Sequence, residues 1–246
     1  MRLLDDCYMI QRFFLPIDLS KRSHSLSDEA LYHQLHNVLR VGAGDAVVVC
    51  DGNGNEAKGI IEELSKKRVL ITTAQPVSVD AEPNRNVVLY ASIIKKDLFE
   101  WVAQKATEVG VKEIVPVITE RTVKKGVRLD RLEVIVKEAA EQSGRGVVPA
   151  VREPMEFSDA LLRAIGEGEV LFFDMGGDDV GTHQCAEDVC SVFIGPEGGW
   201  SEEERALIKE KGVSVVSLGP LTFRAETASV IASYVISVKC KYQNEK

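Results

Sequence analysis

No stretch of this chain is apolar over the ~18 residues that crossing a bilayer takes. Its first residues, MRLLDDCYMIQRFF, carry two aspartates where a signal peptide would be apolar. Neither a membrane span nor an export leader is expected. Cysteine is sparse and poorly spaced for chemistry: Cys7, Cys50, Cys185, Cys190 and Cys240 are odd in number and contain no CxxC pair. Neither a disulfide framework nor a zinc site can be read from that pattern, and a reducing cytoplasm fits it best. His33 and His36 share an HxxH spacing on a helix but have no third ligand in reach by sequence, so surface histidines are expected and no metal. Positive charge is in deficit as well. A net charge of -8 argues against coating nucleic acid by bulk electrostatics.

Hydrophobic residues make up 45% of the 246, enough for a full core. Up to about Thr73 the chain alternates short β-like runs, VVVC at 47–50 and VLITT at 69–73, with turn chemistry such as DGNGN at 51–55. The glycines of GAGDAVVV, 42–49, precede a strand rather than follow one, so this is not a dinucleotide fingerprint. The polar, proline-bearing stretch QPVSVDAEPNRN, 75–86, marks a change of rhythm. The expected division is a small β-rich domain over 1–75, a linker over 76–85 and an α/β domain over 86–246.

The second part opens with the strand NVVLYASI and a helix with apolar positions at Leu98, Trp101, Val102, the stem of Lys105, Ala106 and Val109, ending at Gly110. A strand KEIVPVI follows. A helix is predicted over Leu129–Ser143 with Gly144 in the left-handed position after it, then strands VLFFD (170–174), VCSVFIG (189–195) and VSVVSLG (213–219). Ser201 and Glu204 have the spacing of a capping box at the start of the next helix. A last helix runs from about Ala225 to Val238. Its face of Ala225, Ala228, Ile231, Ala232, Val235 and Val238 is supplemented by Val230, Tyr234 and Ile236, which hints at a subunit interface.

Two loops leave strands and enter helices: GPEGGWS at 195–201 and LGPLTFRAET at 218–227. In an open α/β sheet such loops are where ligands bind. A phosphate loop would offer a lysine or bare amides, yet Glu197, Glu202, Glu203 and Glu204 crowd the first. The features suit a neutral or cationic ligand, an adenosyl sulfonium being one. They are also ordinary helix-starting chemistry. Arg224, at the start of the last helix, reads as an exposed cation, as a partner of Glu226, or as a guanidinium pointing into the strand-end crevice.

Taken together, FIGPEGGWSEEE at 193–204 and LGPLTFRAETA at 218–228 closely resemble the signature pair of the RsmE family of SPOUT methyltransferases. RFFLP at 12–16, HQLHNVLRVGAGD at 33–45, KATEVGVKEIVPVITER at 105–121 and EAAEQSGR at 138–145 are similar to that family's other blocks, in family order. The resemblance implies an N-terminal PUA-like β-barrel and a SPOUT-type α/β domain whose chain end threads a deep trefoil knot. It implies a homodimer that uses S-adenosylmethionine to methylate the uracil nitrogen between the two carbonyls in 16S ribosomal RNA. Carried onto this chain, the cofactor would lie among Leu171, Phe172 and Phe173, Gly195, Pro196, Glu197, Gly198 and Gly199, and Leu218, Gly219, Leu221, Thr222 and Phe223. Leu221 stands where the family often has an arginine, whereas Arg224 matches the second arginine of that pattern.

The uracil nitrogen loses a proton as it accepts a methyl group, and charge spreads onto the flanking carbonyls. Arg224 is the candidate to stabilise that charge. The proton acceptor is Glu197, Glu226 or solvent. Between Arg121 and Arg152 the chain carries eight cations against four carboxylates, which is either one basic face or a solvated helix with ion pairs. Arg121, Lys124, Lys125 and Arg145 from that segment, with Arg12, Lys21, Arg22 and Arg40 from the β-rich part, are the expected RNA contacts. Two other readings remain: a methyltransferase of the same fold acting on another RNA base, and a non-catalytic knotted RNA-binding protein.

Overall fold

The computed structural model describes residues 10–239 apart from 84, 124, 125, 184 and 186. Lys124 and Lys125, both expected RNA contacts, therefore lie outside the described residues. The chain divides into two compact units: one runs to Glu82 and also takes in Glu141–Val147, and the other holds Pro83–Ala140 and everything from Val148 onward.

The first unit is a six-stranded mixed sheet. Its elements are β1 (Gln11–Phe14), β2 (Ser23–Leu26), α1 (Glu29–His33), β3 (Ala46–Cys50), β4 (Asn55–Ser65), β5 (Arg68–Thr73) and β6 (Val77–Ser78). The strand path is β1-β3-β4-β5-β2, with β6 on β4; β1 and β3 are parallel and the other pairs antiparallel. The path is open among the described residues. Alternation puts Val47 and Val49, Ile61, Val69 and Ile71 inside with Phe13 and Leu15, and Leu31 and Leu35 of the helical segment share that core. The DGNGN turn forms as expected: Asp51 Oδ1 accepts from the amides of Asn53 (2.7 Å) and Asn55 (3.1 Å), and Gly52 and Gly54 take positive φ.

The stretch expected to be a linker is only partly one. Val77 and Ser78 pair with Glu56 and Asn55, and the Glu82 carboxylate accepts from Arg145 and from the amides of Gly146 and Val147. Backbone hydrogen bonding makes these residues part of the first unit, which composition alone did not reveal.

The second unit is a seven-stranded, all-parallel sheet. In chain order it has β7 (Asn86–Ser92), α2 (Lys96–Glu108), β8 (Glu113–Ile118), α3 (Leu129–Ser143, whose last turn belongs to the first unit), β9 (Ala150–Val151), β10 (Met155–Glu156), α4 (Phe157–Glu167), β11 (Glu169–Asp179), β12 (Val189–Ile194), α5 (Glu202–Glu210), β13 (Ser214–Ser217) and α6 (Ala225–Lys239). The order is β10-β8-β7-β12-β11-β13, with β9 on β8. Helices cover both faces, so the strands are apolar on both sides. Val87, Leu89, Val192 and Ile194 pack with α2, α3 and α6, while Val88, Tyr90, Phe172 and Phe193 pack with α4 and α5. Burial raises the Tyr90 phenol to about 12.

Two helical faces differ from the sequence reading. In α2 the buried residues are Phe99, Val102, Ala103, Ala106 and Thr107, whereas Trp101 is exposed. In α6 the buried side includes Ser229, Ser233 and Ser237 beside Ala232 and Ile236. Two of those hydroxyls donate to carbonyls one turn back, Ser229 to Ala225 (2.8 Å) and Ser233 to Ser229 (2.7 Å), which lets a polar residue be buried inside a helix contact.

Candidate active site

The carboxyl ends of β7, β11, β12 and β13 come together at one edge of the parallel sheet, and a cavity of about 660 Å³ opens there. That size suits a ligand of several rings. Three strand ends form its wall. β11 contributes Phe173, Asp174 and Met175; the segment after β12 contributes Gly195, Pro196, Glu197, Gly199 and Trp200; that after β13 contributes Leu218, Gly219, Leu221, Thr222 and Phe223, leading into Arg224 and Glu226. Lys95 and Leu98 close it from the start of α2.

The 195–201 loop is held from behind. Trp200 is fully buried, donates from Nε1 to the Phe173 carbonyl (3.0 Å) and lies 4.4 Å, ring to ring, from Phe172. Its indole passes so close to Gly195 that a Cβ there would sit 2.9 Å from the ring. Glycine at 195 is therefore a packing requirement as well as a way of baring the backbone. Gly199 closes a turn onto the Pro196 carbonyl (2.9 Å) with φ +71°, and Ser92 Oγ fastens the Ile194 carbonyl at 2.9 Å.

The expected capping box is present. Ser201 Oγ accepts from the Glu204 amide (3.2 Å), and Glu204 Oε2 accepts from the Ser201 amide (2.8 Å). The other oxygen of this buried carboxylate accepts from the Glu120 amide at 3.0 Å, tying the loop to the end of β8. On the second loop Ser217 Oγ accepts from the Gly219 amide (3.0 Å), and Gly219 takes φ +105°.

Of the residues expected to hold the cofactor, Phe173, Gly195, Pro196, Glu197, Gly199, Leu218, Gly219, Leu221, Thr222 and Phe223 line this cavity. Leu171 and Phe172 do not; they sit inside β11 and are spent on the two cores. Gly198 faces outward, and its carbonyl accepts from Arg121 Nη1 at 2.7 Å. The sequence reading missed Lys95, Asp174, Met175, Trp200, Arg205 and Ser217. Asp174 and Trp200 had a signal, since each abuts an element already singled out.

Charges on the wall divide into paired and unpaired. Arg205 Nε donates to Asp174 Oδ2 at 2.7 Å and Arg205 Nη1 to Glu202 at 3.0 Å; the Asp174 hydrogen bond is the main reason the guanidinium holds its proton more tightly than usual. Arg224, Glu197 and Lys95 are exposed, and among the described residues none has an ion-pair partner, so the sequence alternative of an Arg224–Glu226 pair is not what forms. Glu226 is buried in the first turn of α6.

The expected RNA contacts fare unevenly. Lys21, Arg22, Arg40 and Arg121 are exposed. Arg145 is 4% exposed and forks onto Glu82 through Nε (3.2 Å) and Nη2 (2.7 Å), and Arg12 is engaged with Glu56 and with Cys50 Sγ. Both are internal ties rather than free cations, which a count of charges along the chain cannot distinguish. His36 stacks on Tyr32 at 5.2 Å and bonds Asn37.

Comparison with known proteins gives this arrangement its class. Residues 81–237 match the RNA methyltransferase domain family and residues 28–73 the RNA methyltransferase PUA domain family, so the chain is a PUA-bearing RNA methyltransferase-domain protein. It is 31% identical over 261 residues to ribosomal RNA small subunit methyltransferase E of Bacillus subtilis (strain 168), covering 96% of this chain and 98% of that one. A crystal structure of the Neisseria gonorrhoeae enzyme of that name, bound to S-adenosyl methionine, superposes with a TM-score of 0.86 at 32% identity over 93% of this chain and 97% of the other. A Legionella pneumophila methyltransferase structure with bound SAM gives 0.84 at 27% identity, covering 93% and 97%. The chain belongs to the ribosomal RNA small subunit methyltransferase E family.

Proposed function

We propose that this protein transfers a methyl group from S-adenosylmethionine to N3 of one uridine in 16S ribosomal RNA of the small subunit. The observation that carries the reading is the convergence of three strand-end segments on one cavity, lipped by an unpaired guanidinium. The wall fits the donor in kind. Phe173, Met175, Leu218, Leu221 and Phe223 offer apolar surface to a purine and its sugar. Gly195, Gly199 and Gly219 expose main-chain polar groups, and the Glu197 carboxylate tolerates a sulfonium nearby. When bound, S-adenosylmethionine supplies an electrophilic methyl group.

The chain's own residues do the rest. Arg224 places a permanent positive fork where the uracil carbonyls gather charge, an effect worth about 10² to 10³ in rate in a water-poor site. Exposed Glu197 takes the N3 proton, since Glu226 is buried in the first turn of α6. Lys95 serves as the second unpaired cation on the wall, a task Leu221 cannot perform in this chain. Arg121, rather than contacting RNA only, holds Gly198 and so the outer turn of the cofactor loop.

In the same reading the first unit is the PUA-like RNA-binding domain, and the second is the SPOUT domain with its chain end threaded as a trefoil knot. The strand order supports the threading: β13 lies at the sheet edge beyond β11, yet α6 returns from it to pack on the central β7 and β12. The same reading takes the protein as a homodimer in the cytoplasm; for the dimer, α2 and α6 pack together and leave Trp101 and Tyr234 exposed.

The test is incubation of the protein with labelled S-adenosylmethionine and small subunits lacking the modification, followed by mapping of the labelled base. The expected product is a single N3-methyluridine in 16S RNA. Label on another base would move the substrate assignment, and no label with tight cofactor binding would favour the non-catalytic alternative.

A further inference from the structure

At the opposite end of the same two strands from the cofactor loops lies a second cluster of chemistry-bearing side chains. Glu169 opens β11 and Cys190 stands at the start of β12, and the parallel register sets them directly opposite one another. Period-two alternation puts Glu169 on the same face as Leu171 and Phe173, and Cys190 on the same face as Val192 and Ile194. Both side chains thus look to one side of the sheet. The segment joining the strands then brings back Cys185, and one carboxylate oxygen of Glu169 and the sulfurs of Cys185 and Cys190 all lie within 4.8 Å of one another. His183 Nε2 is 2.7 Å from Glu169 Oε1. Both sulfurs belong to buried, unbridged cysteines, while Glu169 and His183 keep 16% and 20% of their side chains in contact with solvent.

Four groups of metal-binding type, drawn from 22 residues of chain, lie together beside the starts of β11 and β12. Two thiols and a carboxylate within a few ångströms match the spacing of ligands around a tetrahedral zinc, where metal to ligand distances are about 2.0–2.3 Å. Ligating carboxylates are themselves hydrogen-bonded by outer groups that fix their orientation, and His183 is placed to do this for Glu169. Thiolate donors select soft or borderline cations over magnesium and calcium. The solvent-accessible edge at Glu169 and His183 gives a cation a way in.

We propose that Glu169, Cys185 and Cys190 form a binding site for a thiophilic divalent cation of the zinc type, with His183 holding the carboxylate in place. Binding converts both thiols to thiolates, and the two protons go to solvent. The bound cation clamps the start of β11 to the start of β12 and to the connection between them. The sites are separate: from Glu169 to Phe173 the strand advances about 13 Å at ~3.3 Å per residue.

The experiment uses the full chain, stripped with chelator under reducing conditions and titrated with zinc against a chromophoric competitor. The expected result is one zinc per chain, no comparable uptake of magnesium and a higher melting temperature with zinc. The Cys185→Ser and Cys190→Ser variants should each weaken binding at least 100-fold, His183→Ala by about 10- to 100-fold, and Cys50→Ser should leave it unchanged. A second measurement needs no substitution: zinc should protect Cys185 and Cys190, mapped by mass spectrometry, from alkylation. The proposal is overturned if the reduced chain takes up no zinc, if zinc leaves both thiols as reactive as before, or if the double serine variant binds as the parent does. Disulfide formation between Cys185 and Cys190 without metal uptake by the reduced protein would also overturn it.

Discussion

Arg224 and Gly195 show how differently single residues serve the same cavity. Gly195 acts through what it lacks: with Trp200 wedged behind it and held to the Phe173 carbonyl, any side chain at 195 would push the loop off its backing. Arg224 is proposed to act through charge, since no carboxylate among the described residues pairs with it. Arg224→Ala should therefore lower turnover by 10²-fold or more while the affinity for S-adenosylmethionine stays within about threefold. Single-turnover methylation and calorimetric titration of the same variant check both halves. A variant with near-normal rate would remove the guanidinium from the mechanism.

Among elements, the loop entering α5 was legible in advance and α4 was not. Ser201 and Glu204 stand at the offset that a helix start requires, so their reciprocal hydrogen bonds could be anticipated from spacing. The apolar positions of α4, namely Phe157, Ala160, Leu161 and Ala164, keep helical spacing, but Pro154 before them and Gly166 within the last turn read as loop punctuation. The extension of β11 past Asp174 was also unread, since it rests on a register shift against β13 and on Gly177 lying flat on the Val216 backbone.

The helix α4 is fastened to β8 through Glu113, which accepts from Arg163 and from Arg152, the latter at 2.7 Å. Burial alone would raise the Glu113 carboxyl, but the two arginines outweigh it and hold it below the ordinary 4.5. With the folded value depressed, the stabilisation is full above the unfolded value and is lost as pH falls through the folded one. Glu113→Gln should cost about 1–2 kcal/mol at neutral pH. That difference from the parent should shrink as denaturant melts are repeated at pH values below about 4.5. A gap that persists unchanged into acid would refute the ion-pair account.

At the scale of the whole molecule, the two-part plan and the parallel sheet were readable because hydrophobic rhythm changes from alternation to strand-helix repeats near residue 80. The role of individual cations was not. Arg145 reads as a free charge in sequence and is a buried fork on Glu82 in the fold, a pairing across 63 positions that no local pattern encodes. The cavity at the strand ends lies between these cases. Its two loops were visible as motifs, but their meeting, and the contribution of Lys95 from the segment after β7, depends on sheet order.

The most direct measurement is a crystal structure of this protein soaked in S-adenosylmethionine. The account predicts density for the donor bounded by Phe173, by 195–199 and by 218–223, with Arg224 left free at the lip. Density elsewhere, or a donor that leaves both loops untouched, would contradict it.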